Sequence, residues 1–371
     1  ALLIFSGPAG LVNRLVLANR AVVFVGLISY PLYLWHWPLL SYLTIVEATY
    51  PPFYQRAIAV AIAFVLAILT YRFVELPIRH GRTYRTRSTA ALVTASASLF
   101  LLGFFAHDLA PSYDEATKKI MQVWNFSGYP NSDAFFDDKE YGFPAIGRND
   151  HDKIVFIGDS HTIQYRQTVA GLHTKSGLTP DQFPKVIFLQ DIITANMKPA
   201  LFKKVVDDPA VKAVVFSEFW ALQRRSDKIN YAVRCCGTGL MQMIGPQVPA
   251  RLTQQQIDED NKNLGSLVAL LRQAGKSVYV VLDNPFGEEV APRSLLDRSF
   301  FHKIKISLVT FSKADALERD EPTRTIVRKT AQDNGAEIID PMASLCHQAT
   351  CPALAENGMP LYKDYDHLSE Y

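Results

Sequence analysis

Two regimes of hydrophobic patterning divide the chain. Up to about residue 106 the apolar side chains form long runs with little polar period. Ala21 to Val46 holds no acidic or basic side chain except His36, and its 26 residues exceed the roughly 20 a helix needs to cross a bilayer. Ala57 to Tyr71 is 15 residues between Arg56 and Arg72, a span that Phe53, Tyr54, Phe73 and the long arginine side chains can extend to the interface. Ser88 to Ala106 is a third apolar run. Each also reads as a buried core helix, a reading that length makes weaker for the first and third than for the second. Past residue 150 the runs become short and rich in β-branched and aromatic residues: Ile154 to Ile157, then 185–190, 212–220, 276–286 and 336–342. Helical stretches at 162–176, 199–206, 253–274 and 314–334 separate them. Strands alternating with helices predict an α/β domain, doubly wound on a mostly parallel sheet, with its site at the carboxyl ends of the strands.

Between the two regimes, Ala110 to His151 mixes Pro, Gly, Asn and Asp with scattered aromatics such as Trp124, Phe135 and Tyr141, too many for a free linker. It reads as an ordered extension packed on the following domain, with stacking on sugar rings as the rival use. The predicted organisation is therefore 1–87 and 88–109 for the apolar spans, 110–151 for the extension and 152–371 for the α/β domain. The opening ALLIFSGPAG reads as the tail of something longer.

Charge gives the apolar part a direction. Arg14 and Arg20 precede the first span, and Arg79, Arg82, Arg85 and Arg87 fill the connection before the third, whereas Glu47 to Gln55 holds no Lys or Arg. Basic flanks stay in the cytoplasm, so a third crossing would put everything after about Asp108 on the far side of the membrane. A net charge of +2 over 371 residues implies no nucleic-acid partner.

The chemistry concentrates at Lys153 to Tyr165, KIVFIGDSHTIQY, where a buried-strand pattern runs into Gly158 and then Ser160. A serine at a strand-to-helix turn stands clear of the sheet edge, next to free N–H groups that can stabilise an oxyanion. The plainer reading makes Ser160 a helix cap. The balance shifts at YKDYDHLSEY, where Asp364 and His367 are three apart and one turn lets the carboxylate orient the imidazole. Asp366 is the rival carboxylate, expected to point away because it is adjacent to His367. The four cysteines show no zinc-binding spacing, so no metal site is expected. Cys346 and Cys351 are close enough for a local disulfide, expected to staple the loop that carries Asp364 and His367, whereas adjacent Cys235 and Cys236 could pair only through a strained ring.

The GDS after a strand and the DxxH resemble the first and last sequence blocks of the SGNH (GDSL-like) hydrolase and acyltransferase superfamily, over roughly residues 150 to 371. The resemblance implies a three-layer α/β/α fold, Ser160 as nucleophile, His367 as general base and Asp364 as its orienting partner. The family's further oxyanion donors are not plain in this sequence. Ser160 N–H is the best-supported donor, and Asn196 and Asn284 are loose candidates for the amide. LISYPLYLWHWPLL (Leu27 to Leu40) and YRFVELPIRH (Tyr71 to His80) resemble the closing motifs of the acyltransferase-3 family of membrane acyltransferases, over about residues 1 to 85. In that family His36 is a signature position or a structural hydrogen bonder, and Glu75 anchors a helix end.

Together the resemblances imply a multi-pass protein of the bacterial inner membrane with a periplasmic SGNH domain. It would be similar to enzymes that O-acetylate surface polysaccharides such as lipopolysaccharide O-antigen. Cytosolic acetyl-CoA would supply the acyl group at the membrane domain, with no cofactor bound, and a surface or lipid-linked glycan would accept it. A membrane-tethered carbohydrate esterase and an idle glycan-binding module are the alternatives.

Overall fold

The computed structural model describes residues 10, 16–47, 51–80, 85–105, 113–125, 134–190, 197–224, 253–297, 305–306 and 311–370. The chain divides into two compact units near Tyr113.

In the first unit the apolar runs are helices. α1 is Arg20–Glu47, and α2 is Phe53–Thr70, which continues through a π turn at Tyr71–Glu75 into Leu76–His80. Arg20–Thr44 and Phe53–Arg79 are long and apolar enough to cross a membrane, so the second span is 27 residues rather than the 15 read from its uncharged core. Their large apolar side chains are mostly turned outward (Tyr30, Tyr33, Phe53 and Phe73 are each over 60% exposed), a surface that water disfavours and lipid would cover. Inside the pair, Ala59, Ala63 and Ala67 are buried, and Trp35 Nε1 donates to Thr70 Oγ1 at 2.9 Å. The His36 ring lies against its own helix, Nδ1 being 3.1 Å from Leu32 O and 3.0 Å from Tyr33 O. Arg79 pairs with Glu75 at 2.7 Å, fixing the helix end as expected. α3, Arg85–Phe105, covers the third run, but its apolar stretch among the described residues is only Val93–Leu102.

The second unit begins with α4 (Glu115–Asn125) and is built on a seven-stranded sheet. Its strands are β1 (Phe136–Asp137), β2 (Pro144–Ile146), β3 (Asn149–Gly158), β4 (Pro184–Gln190), β5 (Val211–Ser217), β6 (Ser277–Val281) and, after two short ribbons, β10 (Glu337–Ile339). The ribbon strands are β7 (Leu296–Asp297), β8 (Lys305–Ile306) and β9 (Phe311–Ser312), the last paired with β11 (Thr350–Cys351). The sheet order is β1-β2-β4-β3-β5-β6-β10, parallel throughout except for β1 and β2. The segment read as an extension thus supplies two antiparallel edge strands, and the boundary expected at residue 152 falls inside β3. Two and three residues per strand leave too short a period to read from sequence.

Helices cover both faces. α5 (Ser160–Ile163) and α6 (Arg166–Ser176) follow β3, and Val169 and Ala170 of α6 pack on Val186 and Phe188. On the other face, α7 (Pro199–Asp207), α9 (Gln254–Gln273) and α10 (Lys313–Asp333) bury Phe202, Val205, Leu264, Val268 and Val327 against Val155, Ile157, Val214 and Val280. A short α8 (Trp220–Gln223) follows β5, and α11 (Pro341–Leu345) follows β10. Counting only the parallel strands, the order is 2-1-3-4-5, and the winding reverses between β3 and β5. In such a sheet the crevice beyond the carboxyl ends of those two strands is where ligands bind.

Candidate active site

Gly158 closes β3 at that switch point, level with Ser217 at the end of β5. A Cβ on Gly158 would lie 1.7 Å from Ser217 O, so only glycine lets the two strand ends come this close. The chain then turns at Asp159 into α5. Asp159 caps the turn, one carboxylate oxygen accepting from His161 N at 2.9 Å and the other from Phe219 N at 2.9 Å. Thr162 Oγ1 donates to Ser217 O (2.9 Å) and Ser217 Oγ to His161 O (3.2 Å). The turn bearing Ser160 is therefore bolted to the loop after β5.

Ser160 Oγ lies 2.7 Å from His367 Nε2, and His367 Nδ1 lies 2.9 and 3.0 Å from the two oxygens of Asp364. These are the spacings of a nucleophile, its base and an orienting acid. Asp364 also bends the backbone, since its Oδ1 accepts from Asp366 N (3.0 Å) and His367 N (2.8 Å). That bend corrects the expectation for Asp366. Instead of pointing away, its Oδ1 sits 3.1 Å from His367 Nδ1, though without hydrogen-bond alignment, and its Oδ2 lies 3.5 Å from His161 Nε2. Neighbouring side chains diverge on a regular element but not around a capped turn.

Burial disfavours a charged imidazole at His367, but the hydrogen bonds to Asp364 and the attraction of the Asp364 and Asp366 charges outweigh it and push its pKa up to about 10. Asp366 is buried too, which favours its neutral form, yet His161 and His367 hold it well below the usual carboxylate range. His161, Asp366 and His367 offer ligand atoms within 4.8 Å of one another, a spacing a cation would accept. Holding one there would take His367 away from Ser160 and Asp364.

Two amides fix the base: Gln164, which the sequence reading did not single out, and Asn284, which it offered only as a loose oxyanion candidate. Gln164, one turn beyond Ser160 and buried, accepts from Leu368 N at 2.8 Å. Asn284, after β6, donates through Nδ2 to Asp366 O at 2.8 Å and to Pro285 O at 3.1 Å, and Gln164 Nε2 approaches its Oδ1 at 3.4 Å. The peptides on either side of His367 are thus gripped by a linked pair of amides. This overturns Asn284 as an oxyanion donor, because both its N–H bonds point to backbone carbonyls. Asn196 lies outside the described residues. The N–H of Ser160 has no hydrogen-bond partner among the described residues and stays available to a developing oxyanion.

Beneath the amides, Asp283 accepts from Trp220 N (3.0 Å) and Ala221 N (2.8 Å), tying the β5 and β6 loops together. Its complete burial, with Asp320 near, keeps its carboxyl well above the usual range. Cys346 and Cys351 are joined in a disulfide. Cys235 and Cys236 lie outside the described residues. The turn at Asp364 does not depend on that staple alone, because Gly287 N also donates to Tyr365 O at 2.7 Å.

The fold and these side chains define an α/β domain of the three-layer, doubly wound kind with a Ser-His-Asp arrangement at its switch point. Residues 125–371 match the family described as "SGNH domain (fused to AT3 domains)", and the chain belongs to that family. The chain is also similar to the "Peptidoglycan O-acetyltransferase OatA" of Listeria monocytogenes, 35% identical over 75 residues, which take in 20% of this chain and 12% of that protein. A protein of Staphylococcus aureus strain COL, named "Putative O-acetyltransferase SACOL0978", is 37% identical over 68 residues, 17% of this chain and 11% of its own length. The matched stretch is thus about an eighth of the length of these relatives.

Proposed function

We propose that the chain is part of a membrane-bound O-acetyltransferase that moves an acetyl group onto a sugar hydroxyl through Ser160. The observation that carries this is the 2.7 Å contact of Ser160 with His367 at the sheet's switch point, in a chain that also bears two helices able to cross a membrane. A hydrolase needs only an anchor. The aromatic-His-aromatic cluster around His36 and the Phe73-to-Arg79 motif, resembling acyltransferase-3 proteins, favour a partner that delivers acyl groups.

In this reading acetyl-CoA donates on the cytosolic side, and the acetyl group crosses to a periplasmic SGNH domain. In its deprotonated form, His367 takes the Ser160 proton on Nε2 as Oγ attacks the acetyl carbonyl, while the Ser160 N–H steadies the oxyanion. The carrier leaves with the proton from His367, and an acetyl-serine remains. A sugar hydroxyl then gives its proton to His367 as its oxygen attacks the acetyl carbonyl, the bond from that carbonyl to Ser160 Oγ breaks, His367 returns the proton to Oγ, and the sugar departs as its acetyl ester. Asp364 holds the ring so that Nε2 faces the serine throughout.

For the acceptor, lipopolysaccharide O-antigen is the first assignment, and the name of the Listeria relative supports peptidoglycan as the second. Acetyl esters are counted in both glycans from cells carrying the wild-type chain or Ser160→Ala in its full-length context. Loss from one glycan names the acceptor. Unchanged acetylation of both with Ser160→Ala rules out covalent catalysis by this domain.

A further inference from the structure

His367 carries two carboxylates, and they differ in kind. The Asp364 side chain is 40% exposed and covers Nδ1 with both oxygens, whereas Asp366, with a side chain only 2% exposed, stands 3.1 Å from the same nitrogen out of hydrogen-bond alignment. Asp364 therefore has the better hydrogen bond and the more screened charge. At equal distance, a charge away from water acts several times more strongly than one facing it, about fourfold between effective dielectric constants of 80 and 20. We propose that the two divide the work: Asp364 orients the ring, and Asp366, gripped by His161, is a positioning residue whose buried charge stabilises the imidazolium of His367. This deepens the acyl-transfer reading above and rests on it.

The surroundings are built for that division. A buried carboxylate is tolerated when cations or donors meet it, and Asp366 meets two imidazoles, His161 Nε2 at 3.5 Å and His367 Nδ1 at 3.1 Å. His161 cannot swing away. Its ring lies flat on Phe219, with centroids 4.9 Å apart and planes at 7°, and its backbone N–H is held by Asp159. Phe219 is in turn wedged edge-on against Phe286 at 5.0 Å. Asn284 fixes the Asp366 peptide. Among the described residues, the other groups facing His367 are the His161 ring itself, its centroid 5.0 Å away, Ser160, and the neutral amides of Gln164 and Asn284. Asp159 is spent on two backbone N–H groups, and Asp283 on those of Trp220 and Ala221. The raised pKa of His367 and the depressed one of Asp366 fit this account.

The test is the pH dependence of kcat/KM for p-nitrophenyl acetate on the full chain in detergent, with thermal unfolding in parallel. Removing the Asp366 charge makes His367 easier to deprotonate. Asp366→Asn should therefore move the acid limb to lower pH by about 1–3 units, the range for a close opposite charge. Asp364→Asn should mainly lower the plateau and move the limb less. His161→Phe, which keeps the stack but loses the donor, should move the limb the same way, and His161→Gln, which keeps a donor, should restore it. His161→Phe also covers the case in which Asp366→Asn does not fold. An unmoved limb in a folded Asp366→Asn, or a larger shift from Asp364→Asn, overturns the division of labour. Ser160→Ala separates this from the parent reading: if it turns over ester like wild type, covalent catalysis is wrong, and if it is dead while the limbs stay put, only this inference fails.

Discussion

Replacing Gly158 with alanine probes the frame of the site without touching a reacting group. The new Cβ would stand 1.7 Å from Ser217 O and 2.6 Å from Thr162 Oγ1, where ordinary contact begins near 3.4 Å. The ends of β3 and β5 must therefore part by up to the difference, 3.4 − 1.7 = 1.7 Å. Overpacking of this kind costs about 1–3 kcal/mol. Separation also strains the bond from Thr162 to Ser217 O, worth about 1 kcal/mol more. Ser160 is two residues on and moves with the turn, whereas the peptide before His367 is held by Asn284 on the loop after β6. A displacement of about 1 Å between nucleophile and base costs on the order of a hundredfold in rate. We therefore expect Gly158→Ala to lower unfolding stability by about 2–4 kcal/mol and ester turnover by about a hundredfold. Denaturant unfolding of the full chain, and turnover well below the melting temperature, read the two separately. Wild-type stability together with wild-type turnover would refute the argument that close approach at the switch point positions the serine.

Ser160→Ala and His367→Ala should each abolish turnover, and the double variant should be no worse, since both remove the same step; additive losses would show that they act apart. Because the folded pKa of His367 is raised to about 10 from 6.5, its ion-pair stabilisation is complete below about 6.5 and fades as pH climbs through 10. The melting temperature should fall over that window, and the fall should vanish in His367→Asn. Replacing Cys346 and Cys351 with serine should cost on the order of 2 kcal/mol of stability in the loop-entropy account. Turnover of the folded variant should change by only a few fold, because Gln164, Asn284 and Gly287 hold the base independently; a hundredfold loss would make the disulfide the main clamp. A reporter joined after Arg85 should sit in the cytoplasm and one after Tyr113 in the periplasm, and finding both on one side would remove the third crossing.

How far the sequence could be read follows from which signals are local. Ile154 to Ile157 and Lys185 to Gln190 declared buried strands by their own composition, and both lie in the parallel core. Ser160, Asp364 and His367 stood out because their chemistry is coupled to short spacings. Asp366 was misplaced because its direction depends on Asp364 accepting two backbone N–H groups, a property of one turn and of no residue type. Gln164 and Asn284 were missed, or given the wrong task, because their partners are 204 and 82 positions away. β1 and β2 escaped notice because strands this short owe their existence to the edge of β4.

The contact between Ser160 and His367 joins positions 207 apart in the chain. At a synthesis rate of about 5–20 residues per second, the serine emerges about 10–40 s before its base. Over that interval Ser160 is an ordinary alcohol with nothing to take its proton, so under the proposed mechanism the nascent domain cannot acylate itself or its surroundings. Reactivity switches on only when a closure across more than half of the chain is complete. A serine-directed label, chased through a synthesis time course, would therefore date the completion of the fold.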